Sequence, residues 1–351
     1  MTGREHLIQN TNKRFQDSTH NLLSWFLDVR SVLLDREGEH RPAEIAQHIA
    51  FCYASFAPEP IRAPAIEKNP PRIPDSYFDA DSKFRSAIKE LSDFVNGDFA
   101  EFLTHFFVHG SMADGRYKKG WSDLDTFMVI KKEVLRDGRA LSELRRLSFA
   151  AWPLFLKITP LQHHGFIVAG EDDLASYPTH YLPPEALDRA YSLKAGQLPI
   201  FFSVRSDHSL ALGSLESRRV ALREAIHTGE LRHHPKDGIY LQEKFKNAEN
   251  SMRQLFSLLG YVMTVPSYVL DGRGQACHKA ESFARARHLF SDRAWSIIDK
   301  ATRIRSEWQE REGASYQGNA VPLWLQDLLG PNYFEDCLTL LEEAVAEAGN
   351  Q

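Results

Sequence analysis

FFVHGSMADGRYKKGWSDLDTFMVI, residues 106–130, is the stretch from which the fold is read. An apolar run, Phe106–Val108, stops at His109, Gly110 and Ser111, and after a polar, glycine-containing loop a second run follows Ser122-Asp123-Leu124-Asp125. Short apolar runs bounded by turn residues predict two neighbouring buried strands. Strand side chains alternate between faces, so Asp123 and Asp125 are expected on one face and Leu124 in the core. Two carboxylates so placed repel unless a cation lies between them. A hard divalent ion, Mg2+ or Mn2+, that also contacts substrate phosphates suits such a pair. Gly110 allows close backbone approach, and Ser111 offers a hydroxyl beside free N–H groups, a combination that can hold phosphate oxygens.

Strand, Gly-Ser, eleven intervening residues (Met112 to Ser122), then Asp-Leu-Asp entering another strand: this arrangement resembles the signature of the nucleotidyltransferases related to DNA polymerase β. The resemblance implies a divalent-metal-dependent transfer of NMP from an NTP to a hydroxyl of a small molecule or protein, with pyrophosphate released. ATP is the expected triphosphate. It implies Asp123 and Asp125 as catalytic metal ligands, and Gly110 and Ser111 as the binding site of the β- and γ-phosphates. Lys118 and Lys119 in the intervening loop are expected to assist.

One feature departs from that family, whose members mostly carry a third carboxylate on a later strand. The expected third strand, Leu161–Val168, contains no acid, and Glu171, Asp172 and Asp173 fall beyond its end. His163 and His164 alternate faces, so only one can point at the aspartates and act as general base or nitrogen ligand. His164 is preferred because Phe166 and Val168 share its parity, although parity leaves His163 open. His109 is read as strand-end structure.

Around this centre, 351 residues are more than one core ordinarily needs. The chain divides into an N-terminal helical hairpin (1–58), a connector with six prolines in residues 57–76 (assigned to 59–77), a catalytic domain (78–212) and a C-terminal helical bundle (213–351). In the catalytic domain, helices are expected from Asp79 or Asp81 to about Phe102 and over Lys131–Ala151, the latter with a basic outer face of Arg139, Arg145 and Arg146. A fourth strand of the same sheet is expected over 198–205, and the proline-rich segment 177–196 is read as a lid or substrate wall. The fold class is therefore α+β, a small mixed sheet backed by helices. The bundle's clearest element is a helix from about Gly238 to Thr264, ended by Pro266, and further helices are expected over 275–290, 292–311 and 333–348. Kanamycin-type nucleotidyltransferases are similar in having a C-terminal helical domain. By that likeness Lys279, which opens a helix with Arg285 and Arg287, is expected to bind nucleotide, with Tyr240 and Lys244 as further candidates.

A net charge of −5 supplies no global basic field. Transfer to RNA, such as a tRNA end, is the alternative that local patches like Gly229–Lys236 leave open, and a nucleotide-binding module without turnover is another. Three scattered cysteines predict neither a disulfide framework nor a zinc site, and the composition predicts a cytoplasmic protein with no membrane partner.

Overall fold

Strands with an unbroken apolar run are buried on both faces, and the two central strands here carry such runs, Phe106–Val108 and Phe127–Ile130. The computed structural model of the chain describes Thr11, Phe15 and residues 19–28, 42–58, 64–77, 83–118, 120–158, 162, 165–179, 181–196, 198–205, 208–228, 230–232, 242–244, 252–277, 279–312 and 321–349. Helices α1 (Thr19–Leu27) and α2 (Pro42–Ser55), strand β1 (Ile66–Lys68) and helix α3 (Lys83–Asn96) come first. Strand β2 (Leu103–His109), a 3-10 turn (Gly110–Met112) and β3 (Asp125–Ile130) follow. Next are α4 (Lys132–Leu135), α5 (Gly138–Ile158), β4 (Ile167–Gly170), β5 (Tyr177–Pro178), β6 (Tyr191–Ser192), β7 (Ile200–Phe202) and β8 (Val204–Arg205).

The main sheet has the order β4–β3–β2–β6, with β3 parallel to β4 and the other pairs antiparallel. Its two faces are packed differently. On one, Phe127 lies 6.4 Å from Phe107 and 6.3 Å from both Tyr177 and Phe202. On the other, Phe166 packs at 6.0 Å from Phe106 and 5.0 Å from Phe155 of α5. Since residues two apart on a strand share a face, Asp125 belongs to the face of Phe127 and not to the helix-covered face.

The N-terminal helices pack on this sheet layer. Buried Leu22, Leu23, Phe26 and Leu27 of α1 lie against β4 and α5, and α2 lies along α5. The approach of α2 to α5 is close enough that a Cβ at Gly138 would come within 2.7 Å of the Gln47 Cα.

Several expected elements differ. The third strand is Ile167–Gly170 and not Leu161–Val168, because the ladder with β3 starts only at Phe127↔Ile167. Residues 198–205 form two short strands outside the main sheet, β7 pairing with β1 and β8 with β5. The fourth strand is instead β6, from the segment read as a lid, and the proline-rich connector supplies β1. Helix α5 runs through Pro153 to Ile158, because burial of Phe155 and Ile158 outweighs the one lost hydrogen bond. Arg145 is buried, donating to the Phe26 carbonyl and stacking 4.3 Å over Phe149, so it is not part of an outer basic face.

By internal contacts the chain forms two compact units. The first is Met1–Tyr117, Asp123–Tyr177 and Ala186–Arg205, and the second is Lys118–Ser122, Pro178–Glu185 and Ser206–Gln351. The second contains α6 (His208–Thr228), β9 (Glu230–Arg232), β10 (Gln242–Lys244), α7 (Met252–Val262), α8 (Val265–Gly272), α9 (Lys279–Ala286), α10 (Asp292–Arg311), α11 (Leu323–Leu329) and α12 (Tyr333–Gly349). It is the expected helical bundle, with α6, α8, α10 and α12 packed together. The helix predicted from Gly238 is not continuous, since Gln242–Lys244 pairs antiparallel with β9. Its later seam, Met252, Leu255, Leu259 and Val262, is buried in α7 as predicted. Pro266 does not simply end a helix; it lies in the first turn of α8, where a missing N–H costs nothing. The window Leu255–Gly272 is apolar enough to cross a membrane by composition, but it is two helices separated at 263–264 and is mostly buried within the protein. Cys52, Cys277 and Cys337 are buried free thiols.

Candidate functional site

The two halves of the Phe106–Ile130 motif meet at one end of the main sheet. His109, the last residue of β2, is the ladder partner of Asp125, the first residue of β3. The chain therefore turns at Gly110 directly beside Asp125. Gly110 has φ +67°, in the left-handed region, and a Cβ there would collide with the Asp125 carboxylate, lying 3.1 Å from its Cγ. Only glycine leaves that carboxylate clear.

Beyond Gly110 the backbone makes a tight turn, in which the Ala113 and Asp114 N–H groups donate to the Gly110 carbonyl at 3.2 and 3.1 Å. The first N–H groups of such a turn have no acceptor within it. The turn is tethered from behind, where the Tyr77 hydroxyl donates to the Met112 carbonyl at 3.2 Å. Tyr77 packs beside Tyr191 of β6 at 6.0 Å and under the Arg85 guanidinium at 5.2 Å. Burial, the largest influence, pushes the Tyr77 phenol up to about 12, so it remains a donor through the neutral range. In the same loop Asp114 is engaged by Arg116, whose Nε donates to it at 2.7 Å.

On the other half, Leu124 is fully buried while Asp123 and Asp125 on either side are half-exposed. The peptide between them is held by Gln162, whose Oε1 accepts from the Leu124 N–H at 3.0 Å and whose Nε2 donates to the Leu124 carbonyl at 3.2 Å. Neither Tyr77 nor Gln162 was identified from sequence. The one available signal was a glutamine inside the apolar-flanked LQHHGFIV run.

The acids after β4 do not complete this site. Glu171 donates its N–H to the Ile130 carbonyl at 2.9 Å, which places it at the far end of β3 from Asp125. Five residues of strand separate those ends, roughly 16 Å at the rise of extended chain. Each acid also has its own partner: Glu171 the Lys132 N–H (3.1 Å), Asp172 the Arg136 guanidinium (2.6 Å), and Asp173 the Tyr53 hydroxyl (2.9 Å) and Gly170 N–H (2.7 Å). Among the described residues, no group of three or more His, Cys, Asp or Glu side chains is arranged to hold a metal ion. The two aspartates fit a cation shared with a ligand's oxygens: both are half-exposed carboxylates, two residues apart, beside a glycine that keeps the space open.

Of the other expected site residues, Lys119, His163, His164 and Tyr240 lie outside the described residues. The reason for preferring His164 does not hold, because Phe166 packs on the helix-covered face opposite to Asp125. Lys118 begins the Lys118–Ser122 segment of the second unit, in which Trp121 packs at 5.0 Å from Phe256 and 5.2 Å from Trp308. Lys279 is exposed at the start of α9, also in the second unit. Arg287, on the same segment, is taken up by Asp292 and stacks 5.4 Å over Trp295. Lys244 lies in β10 and not on a helix.

Residues 85–193 match the nucleotidyltransferase domain family. A nucleotidyltransferase domain is thus present over those residues, consistent with the polymerase β-like superfamily in general, and it supports nucleotidyl transfer as the class of activity. No curated protein and no solved structure matches the chain.

Proposed function

We propose that this protein transfers the nucleoside monophosphate of an NTP, with ATP the expected donor, to a hydroxyl of a small molecule or protein. The observation that supports this reading is the approach of the Gly110 turn to Asp125, one of the two aspartates.

Each residue then has a task. Backbone N–H groups of Gly110 and Ser111, with the Ser111 hydroxyl, hold the β- and γ-phosphates. Asp123 and Asp125 would hold Mg2+ or Mn2+, and when bound such an ion neutralises phosphate charge and favours the deprotonated acceptor oxygen. The acceptor oxygen bonds to the α-phosphorus, the bond from that phosphorus to the bridging oxygen breaks, and pyrophosphate leaves with the electron pair. The proposed recipient of the acceptor proton is His163 or His164. Most of the rate enhancement under this scheme comes from positioning and charge neutralisation.

Incubation with each α-labelled NTP, Mg2+ or Mn2+ and a cell extract tests the reading. Label should enter one acceptor fraction with stoichiometric pyrophosphate, and neither should appear with the Asp123→Ala/Asp125→Ala protein. Nucleotide binding without pyrophosphate release under any of these conditions would favour a binding module without turnover. The lack of a third carboxylate among the described residues is what keeps that second reading in view.

A further inference from the structure

We infer that Gln162 is a positioning residue for the Asp123–Asp125 pair: its side-chain amide replaces a neighbouring strand at Leu124 and orients the peptide joining the two carboxylates. The inference rests on the proposed cation site and names the residue that shapes it. Ladder pairing of β3 begins at Asp125 on the β2 side and only at Phe127 on the β4 side. Leu124 therefore precedes both ladders, yet it is fully buried, where an unpaired N–H or carbonyl is costly.

Gln162 meets both needs at once. A primary amide has an acceptor and a donor side by side, the same pattern that a peptide group offers along a ladder. Here Oε1 faces the Leu124 N–H and Nε2 the Leu124 carbonyl, at 3.0 and 3.2 Å, across 38 positions of sequence. The Gln162 side chain is itself buried, at 2% exposure, so water cannot substitute for it. The backbone dihedrals of Leu124, with ψ of Asp123 and φ of Asp125, set the angle between the Cα–Cβ bonds of the two aspartates. A bond to the peptide group on each side of Leu124 therefore holds the carboxylates in one mutual orientation before any cation arrives. Groups that orient metal-binding side chains in this way typically change metal affinity by about 10- to 100-fold when removed.

The test is Mn2+ affinity, read by water-proton relaxation in the presence of α,β-methylene-ATP, alongside the thermal unfolding midpoint. Gln162→Leu keeps the volume and removes both bonds; Gln162→Asn keeps an amide too short to reach both backbone groups and serves if the leucine variant does not fold. Leu141→Ala in α5 is the control for general loss of core stability. Either Gln162 variant should weaken Mn2+ binding at least ~10-fold, while Leu141→Ala, with an equal or larger drop in midpoint, should bind Mn2+ as the wild type does. The inference is overturned if the Gln162 variants bind within twofold of wild type, or if Leu141→Ala loses affinity to the same degree. Wild-type Mn2+ binding that is indifferent to Asp123→Asn and Asp125→Asn would instead remove the cation site itself, and the inference with it.

Discussion

Gly110 lies beside the carboxylate of Asp125 so closely that a Cβ added to it would come within 3.1 Å of the Asp125 Cγ. The contact follows from the ladder pair His109↔Asp125, which brings the turn at the end of one strand against the first residue of the next. Gly110→Ala should be harmful twice over. The left-handed backbone costs an L-residue about 1–2 kcal/mol, and the new methyl displaces the carboxylate. Loss of Mn2+ and nucleotide binding together, with a lowered unfolding midpoint, is the expected result; a fully functional alanine variant would show that Asp125 does not need its present position.

Asp123→Asn and Asp125→Asn separate charge from shape. Both side chains are half-exposed, so either change should shift stability by no more than about 0.5 kcal/mol. Pyrophosphate release should fall on the order of 100- to 1,000-fold, the scale of losing one pre-organised electrostatic group. Equal turnover by either asparagine protein would remove that aspartate from the proposed site.

Asp173 offers the opposite case, an acid with a structural duty. It accepts from the buried Tyr53 hydroxyl and from the Gly170 N–H. Asp173→Asn keeps an acceptor for both donors and should retain turnover. Tyr53→Phe leaves part of that carboxylate without its donor, at a cost of about 1–3 kcal/mol in a denaturation experiment. A collapse of activity in folded Asp173→Asn protein would point to a role in chemistry.

Gly138 tests whether α2 is integral to the first unit. A methyl there would press on the Gln47 backbone, with its Cα at 2.7 Å and its N at 3.0 Å, and helix backbone yields poorly. Gly138→Ala should destabilise by about 1–3 kcal/mol. Gly213→Ala in α6, where a Cβ meets open space, should stabilise by roughly 0.5–1 kcal/mol. Chemical denaturation of the two variants gives the comparison, and the same sign for both would contradict the packing described.

Alkaline pH should loosen the first unit. Burial raises the Tyr77 and Tyr117 phenols from 10.0 to about 12, and burial with Asp173 as neighbour raises the Tyr53 phenol too. A phenol with a raised native pKa binds its proton more tightly when folded. Its contribution is therefore complete below pH 10 and declines as pH climbs from 10 towards 12. Unfolding midpoints recorded across that range should fall, and Tyr77→Phe should fall less steeply; a flat profile would refute the assignment.

The local motif was legible in sequence because it obeys local rules. Alternation along an extended chain puts Leu124 inside and Asp123 and Asp125 at the margin, and a glycine marks the place where the backbone must turn with positive φ. The helical seam of α10 was readable for the same reason, as apolar residues at three- and four-residue spacing declare a buried face. Which strands share a sheet was not legible. Residues 198–205 and Tyr191–Ser192 are both short and apolar-flanked, and only pairing with β1, β5 or β2 distinguishes them.

The same limit applies to the site. Sequence alone determined the chemistry on offer, a Gly-Ser turn and two aspartates, since those depend on residue type and spacing within one stretch. Tertiary structure decided what surrounds it: β4 starts too late to pair with Leu124, so Gln162 takes that place, and the acids after β4 lie at the wrong end of the sheet. Ladder register and side-chain bonds spanning 38 residues depend on how separate segments pack, and no periodicity within a segment encodes them.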